Sequence, residues 1–239
     1  MAWNIMHGGG KRAPAIARRL ARRRPDVAVL SEFRDTPPSR GLAARLAGMG
    51  LPYQLTTADP KNPRRNGLLI ASRWPLRRLR SRRPPSDPER WLLARVASPA
   101  PLSLAAVHVP NRVSGRKYPF LDALLAFARR WRGGDALMLG DYNTGRIGAD
   151  ESVPCFSRRE DAFMTEMEAA GWADAYRRVR GRGRAYTWQA PGGGGRFRMD
   201  HAFVHRSAQG RLAGARIMWP RRGARPPSDH AALWIELEP

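Results

Sequence analysis

The chain has 239 residues, 42% of them hydrophobic and 26% charged, which suits one folded domain over 1–239 and excludes a disordered or collagen-like chain. Lys and Arg number 43 against 20 Asp and Glu, a formal net charge of +23, and only Lys11, Lys61 and Lys117 of the basic residues are lysines. One cysteine, Cys155, excludes an intrachain disulfide, and no run approaches the roughly 18 apolar residues of a membrane span.

The first residues carry no long apolar stretch of the signal-peptide kind, so we expect a bacterial protein of the cytoplasm, a monomer without stable membrane insertion. A field this positive attracts polyanions, and arginine forks onto phosphate oxygens. The expected partner is therefore DNA or another nucleic acid, with an anionic membrane surface as the competitor.

MAWN opens the chain as a short strand. RAPAIARRLARRR (12–24) has Ile16 and Leu20 at helical spacing and stops at Pro25. DVAVLSEF (26–33) reads as a buried strand with its acid at the far end, and GLAARLAGMG (41–50) as a short helix closed by Gly50. YQLTT (53–57), NGLLIASR (66–73), WLLARVAS (91–98) and LSLAAVHVP (102–110) are strand candidates. Between them, 75–90 is a basic, Pro-rich connection, a surface loop or a nucleic-acid-facing arm. YPFLDALLAFARRW (118–131) is an amphipathic helix, DALMLGDYN (135–143) a strand running into a turn, and 160–172 an acidic helix. RAYTWQA (184–190), RFRMDHAFVH (196–205), GARIMWP (214–220) and HAALWIELE (230–238) read as strands, with PGGGG (191–195) as a hairpin tip. Many strands with few helices, and no strict strand–helix alternation, favour two packed sheets with helices outside over a doubly wound parallel sheet.

Polar residues recur where apolar strands end: Asn4, Glu32, His108 and Asn111, Asp141 and Asn143, Asp200 with His201, and Asp229 with His230. Each alone is an ordinary turn or core residue; their repetition gathers chemistry on one rim. Carboxylate and amide oxygens suit Mg²⁺. No Cys/His set has zinc spacing, GGGKR fails the Walker A pattern, and no GxSxG elbow occurs. Phosphodiester hydrolysis needs a positioned water, a base and a cation on the developing charge, and these residue types supply all three.

WN, SE after a strand, NGLLIASRWPL, HVPN, GDYN, RMDHAF and SDH occur in that order over residues 3–230. The chain thereby resembles the endonuclease/exonuclease/phosphatase superfamily, which includes exonuclease III-like abasic endonucleases and deoxyribonuclease I. The resemblance implies an α/β fold, a four-layer α/β sandwich of two mainly antiparallel β-sheets packed face to face with helices outside. It implies a Mg²⁺-dependent phosphodiesterase, with Mn²⁺ as a substitute. By the same resemblance Glu32 matches the main metal ligand, Asn4 lies beside metal and phosphate, and Asp229 is a further metal or supporting ligand. Asp141 matches the acid that positions and deprotonates the attacking water, and Asn143 helps to orient that water. His230 matches the phosphate-contacting imidazole with Asp200 as its carboxylate partner, and His108 and Asn111 match the phosphate-contacting pair of the HVPN-type turn.

The chain departs from the pattern at Met6, where nuclease relatives often carry an acid, and at His108, where the abasic enzymes carry Tyr. His201 follows Asp200 directly, so its side chain points to the opposite face and reads as structural. His7 and Gly8 to Gly10 read as the turn into the first helix, outside the innermost contacts of the site. Three substrate readings follow. The first is DNA cleavage, abasic or nonspecific, with segments 75–83 and 177–184 on phosphate. Trp188, Phe197 and Met199 there form either an apolar pocket for a sugar without a base or simply core. The second is a phosphatase or phosphodiesterase on inositol phosphates, phospholipid head groups or nucleotides. The third is a silent nucleic-acid-binding member of the fold.

Overall fold

The computed structural model describes residues 1–181, 183–220 and 226–239. Its strands are β1 (Ala2–Asn4), β2 (Val27–Phe33), β3 (Tyr53–Thr56), β4 (Gly67–Ser72), β5 (Leu76–Arg78), β6 (Trp91–Val96), β7 (Leu102–His108), β8 (Ala136–Asp141), β9 (Trp172–Asp174), β10 (Trp188–Gln189), β11 (Arg196–Phe197), β12 (Asp200–His205), β13 (Leu212–Met218) and β14 (Ala232–Leu237). Its α-helices are α1 (Ala13–Arg23), α2 (Pro37–Gly48), α3 (Lys117–Arg130), α4 (Arg158–Ala169) and α5 (Ala175–Arg180).

The strands form two six-stranded sheets, ordered β13-β14-β1-β2-β4-β3 and β5-β6-β7-β8-β12-β9, plus the small β10-β11 pair. Most neighbours are antiparallel. Each large sheet holds one parallel pair, β1 with β2 and β7 with β8, bridged by α1 and α3 respectively. A parallel pair needs such a crossover, and it brings both strands to an end on the same side.

The central strands are covered on both faces, which is why they read as unbroken apolar runs. In β7, Leu104 and Ala106 join the core between the sheets, while Ala105 and Val107 face the helices; in β8, Leu137 and Leu139 alternate with Ala136 and Met138 in the same way. The core between the sheets also takes Val29, Leu68 and Ile70 from the first sheet. Outside that sheet, Ala13, Ile16, Ala17 and Leu20 give α1 a stripe one helical face wide, packed on Trp3, Leu30 and Leu69. Outside the second sheet, Phe120, Leu124 and Phe127 of α3 and Phe163, Met164 and Met167 of α4 cover Val107, Met138 and Phe203. The layers therefore run helix, sheet, sheet, helix.

Several elements differ from the sequence reading. α2 begins at Pro37, because two prolines occupy its first turn, where no intrahelical N–H is needed. α4 begins at Arg158 behind a Ser157–Glu160 capping box. The connection 75–90 contains the edge strand β5, and 184–190 contributes only Trp188 and Gln189 to a strand. RFRMDHAFVH divides into β11 and β12 because Arg198 turns into the interior.

Candidate active site at the end of the sheets

The two parallel pairs end on the same rim. Asn4 lies opposite Ser31, just before Glu32, and His108 lies opposite Asp141. Packing one sheet on the other then joins the two ends: Asn4 Nδ2 donates to Asp141 Oδ2 at 2.9 Å and to Glu32 Oε1 at 3.2 Å. The Asn4 side-chain oxygen accepts the Met6 N–H at 2.9 Å, so this amide ties the two carboxylates together.

Glu32 sits in a β-bulge, where the register of β2 against β4 shifts between Ser31 and Phe33. Its φ of 58° is left-handed, a strained conformation for a side chain this long, and the bulge aims the carboxylate at the rim. The residues Met6 to Gly10 all have positive φ, and this tight turn carries His7 onto Glu32. The His7 N–H donates to Glu32 Oε2 at 2.7 Å and the ring Nδ1 lies 3.0 Å from the same oxygen. The turn therefore touches the site directly, closer than the sequence suggested. Gly8 is needed there: a Cβ would lie 2.6 Å from Ser39 Oγ.

Asp141 ends β8 after Gly140, whose φ is 145° and whose added Cβ would lie 2.0 Å from the Val107 carbonyl oxygen. Asp141 Oδ1 accepts the Asn143 N–H at 2.8 Å. Asn143, itself at φ 48°, donates through Nδ2 to the Val109 carbonyl at 2.8 Å, and its own carbonyl takes the buried Lys117 ammonium, which also meets Glu160. Asp200 pairs with Asp141 across β12 and β8, and its Oδ2 meets His230 Nδ1 at 2.7 Å. His230 is fixed by its backbone, whose carbonyl accepts the Trp3 indole N–H at 2.9 Å. Its Nε2 lies 3.9 Å from Asp141 Oδ2, and so does that of His108.

These groups shift one another's protonation. Burial and the nearby Arg90 guanidinium, which donates to the His108 carbonyl, push the His108 ring down to about 3, so it is neutral. Burial also opposes a charge on His230, but the Asp200 carboxylate and its hydrogen bond prevail and raise it to about 10. Burial lifts Asp141 to about 6; the His230 cation pulls against this and the Asp200 charge adds to it. Burial pushes Glu32 up, but the His108 ring and the hydrogen bonds from His7 and Asn4 hold it below the ordinary carboxylate range. Because His108 is neutral, the hydrogen bonds carry most of that effect.

Asp141, Asp200 and His230 each offer an atom within 4.8 Å of the others, a spacing that a metal ion can bridge. His230 is a poor ligand there, since Asp200 occupies its Nδ1 and it holds a proton that a ligand must lose. The oxygens of Glu32 and Asp141, crowded around one Asn4 nitrogen, are the hard donors that a divalent cation takes. Asp200 Oδ1 is buried with no hydrogen-bond partner among the described residues, so a further oxygen acceptor is left unused in the same cluster. The donor set fits a hard divalent ion.

The remaining expected residues stand around this centre. Asp229 accepts the Trp188 indole N–H on Oδ2 at 2.9 Å and lies outside the Asp141–Asp200–His230 cluster. Phe197 is buried against Phe156 and Trp188, while Met199 is half-buried and Trp188 lies 6.3 Å from the His230 ring. Asn111 is exposed in the turn after β7.

Sequence reasoning missed a buried ionic scaffold beneath the rim. Arg198, fully buried, donates to Asp150 at 2.7 and 3.1 Å and to Asp174 at 3.1 and 2.7 Å. His201, on the face of β12 opposite Asp200, joins Asp174 and the Thr144 carbonyl. Arg177 also pairs with Asp150, which takes it out of phosphate contact; Arg182, of the same basic segment, lies outside the described residues. The only signal was an Arg between Phe197 and Met199, which in so basic a chain is unremarkable.

A buried carboxylate flanked by one neutral and one protonated imidazole, beside oxygen donors for a hard cation, defines a hydrolase acting on phosphoester bonds. The chain belongs to the Endonuclease/Exonuclease/phosphatase family, whose model matches residues 1–230 and whose enzymes depend on divalent metal. No curated protein matches it. Among solved structures it is similar to a 3'-5' exonuclease from Neisseria meningitidis, at 25% identity and a TM-score of 0.81. It is similar in fold to a 3' phosphatase from Neisseria bound to product DNA hairpin, at 24% and 0.81, and to an AP endonuclease from Archaeoglobus fulgidus, at 20% and 0.82. Each likeness covers 99% of this chain and 98% of the other. No helix among the described residues is long and apolar enough to cross a membrane.

Proposed function

We propose that the protein is a Mg²⁺-dependent phosphodiesterase that hydrolyses the DNA backbone as an endonuclease, working as a monomer. The observation that carries the chemistry is the pair of imidazoles on Asp141: His108 neutral, His230 charged, both 3.9 Å from Oδ2.

Asp141, with a pKa of about 6, is ionised at neutral pH and accepts the proton of an attacking water. Asn143, held by Val109 and by Asp141 Oδ1, lines the place where that water is oriented. His230 keeps its proton through Asp200 and offers Nε2–H to a phosphate oxygen as charge develops on it. His108, at the end of β7, and Asn111, in the exposed turn after it, are the further candidates for contact with the phosphate. Glu32, held on Oε2 by His7 and on Oε1 by Asn4, is the residue that would hold the cation, with Asp229 in support. The cation that Glu32 and Asp229 would hold, Mg²⁺ or Mn²⁺, would supply positive charge to the phosphate and the leaving oxygen.

Two observations support DNA as the substrate: the net charge of +23 and the likeness to proteins described as a 3'-5' exonuclease, a 3' phosphatase bound to a DNA hairpin and an AP endonuclease. Within DNA, the half-buried Trp188, its ring 6.3 Å from that of His230, offers an apolar surface to a sugar without a base, with the half-buried Met199 as a further candidate. The test is incubation with Mg²⁺ and, separately, plasmid, an abasic duplex, single-stranded DNA and inositol phospholipids. We expect cleavage of the abasic duplex or of plasmid. Phosphate release from the lipids with every DNA left intact contradicts the reading.

A further inference from the structure

Six arginines on the flank of the second sheet have no acid to pair with among the described residues. Arg77, Arg78, Arg80, Arg82, Arg83 and Arg130 line a cleft of about 740 Å³ between the chain leaving β5 and the last turn of α3, and no carboxylate lines it. All six are exposed, and none enters an ion pair among the described residues. The acids just beyond are already taken, Asp87 by Arg116 at 2.5 Å and Glu89 by Arg65 at 2.6 Å.

The floor of the cleft is apolar and in part aromatic. Leu79 is fixed by donating its N–H to the Leu93 carbonyl at 2.8 Å, and Phe127 and Trp131 lie below with ring centroids 5.4 Å apart. Phe127 is buried, whereas Trp131 is only partly covered and keeps surface toward the cleft.

The cleft is also connected to the catalytic rim. α3 starts beside the site, where Lys117 meets the Asn143 carbonyl, and its 14 residues at a rise of about 1.5 Å carry Arg130 roughly 20 Å away. The basic segment runs back along that distance, from Arg80 in the cleft to Asp87, which is anchored to Arg116 at the start of α3.

We propose that this flank is a second nucleic-acid contact, a track for a single strand that runs off the rim. The proposal rests on the reading of the rim site as one that acts on DNA. Cationic walls over a partly aromatic floor are what an unpaired strand needs, because its phosphates meet the walls and a base can lie on the uncovered part of Trp131. A duplex keeps its bases stacked inside and makes no use of such a floor. Arginine suits the walls, since its fork takes two phosphate oxygens.

The test compares a blunt duplex with the same duplex carrying a single-stranded tail of about 15 nucleotides, near the upper limit of one such groove. Affinities are read by fluorescence anisotropy in EDTA over a salt series, for the parent and for the Arg80→Ser/Arg82→Ser/Arg83→Ser variant. The tail is expected to tighten binding by the parent about tenfold or more. The variant is expected to lose that gain while binding the blunt duplex as the parent does. The slope of log K against log salt for the tailed duplex is expected to fall by about 2, from about 0.7 per lost phosphate contact. No tail advantage in the parent, or equal weakening toward blunt and tailed DNA in the variant, overturns the proposal. EDTA keeps cleavage out of this measurement. A failure to cut DNA in Mg²⁺ therefore counts against the proposed function alone.

Discussion

His108 and His230 share one neighbour: the Nε2 of each lies 3.9 Å from Asp141 Oδ2. His108 ends β7 and His230 stands just before β14, and they carry different charges because only His230 has a carboxylate on its far nitrogen. His108 Nδ1 is buried with no hydrogen-bond partner among the described residues. One ring can therefore stabilise anionic charge while the other stays neutral beside it.

Asp200→Asn tests the origin of that asymmetry. Without the carboxylate, His230 is expected to fall from about 10 toward the ordinary value near 6.5. Imidazole ¹⁵N NMR titration reads this directly; a value still near 10 contradicts the assignment.

The same shift has a consequence for stability, and its sign is fixed. The folded-state value, about 10, lies above that of the unfolded chain, so the folded form keeps a proton that the unfolded form has lost. The contribution is complete below about pH 6.5 and disappears as the pH rises to about 10. The urea midpoint is expected to fall between pH 7 and pH 10, and to fall less in Asp200→Asn. Equal slopes in the two proteins would remove this linkage.

Arg198→Met leaves Asp150 and Asp174 buried without their main cation. Removing one partner of such a set is expected to cost about 3–5 kcal/mol, measured by chemical denaturation at pH 7. A loss below about 1 kcal/mol would show that the scaffold is dispensable.

His7→Ala removes the ring from Glu32 Oε2 but keeps the backbone N–H on it. Orienting groups of this kind are worth about 10–100-fold in metal affinity. Mn²⁺ titration followed by EPR is expected to show weakening of at least about tenfold; unchanged affinity means that the backbone alone holds the carboxylate.

Much of this architecture was legible in the chain. Apolar runs such as VAVLSEF and LAAVHV end in Glu32 and His108 because strands covered on both faces turn polar only at the rim. The order of those endings marked the family. The sequence did not show which polar residue meets which. His7 reached Glu32 only through five successive left-handed residues, a backbone path that three glycines hint at but do not trace. Arg198 was hidden because the partners that neutralise it, Asp150 and Asp174, are distant in sequence and look like surface acids. Trp172–Asp174 and α5 were too short to show a period.

The central claim is that Asp141 accepts the proton of the attacking water. The most direct measurement is the single-turnover cleavage rate of an abasic duplex in Mg²⁺ for the parent and for Asp141→Asn, with the circular dichroism of both recorded. The account predicts a variant that is folded and slower by about 10²–10⁴-fold. A folded Asp141→Asn protein that cuts at the parent's rate would contradict it.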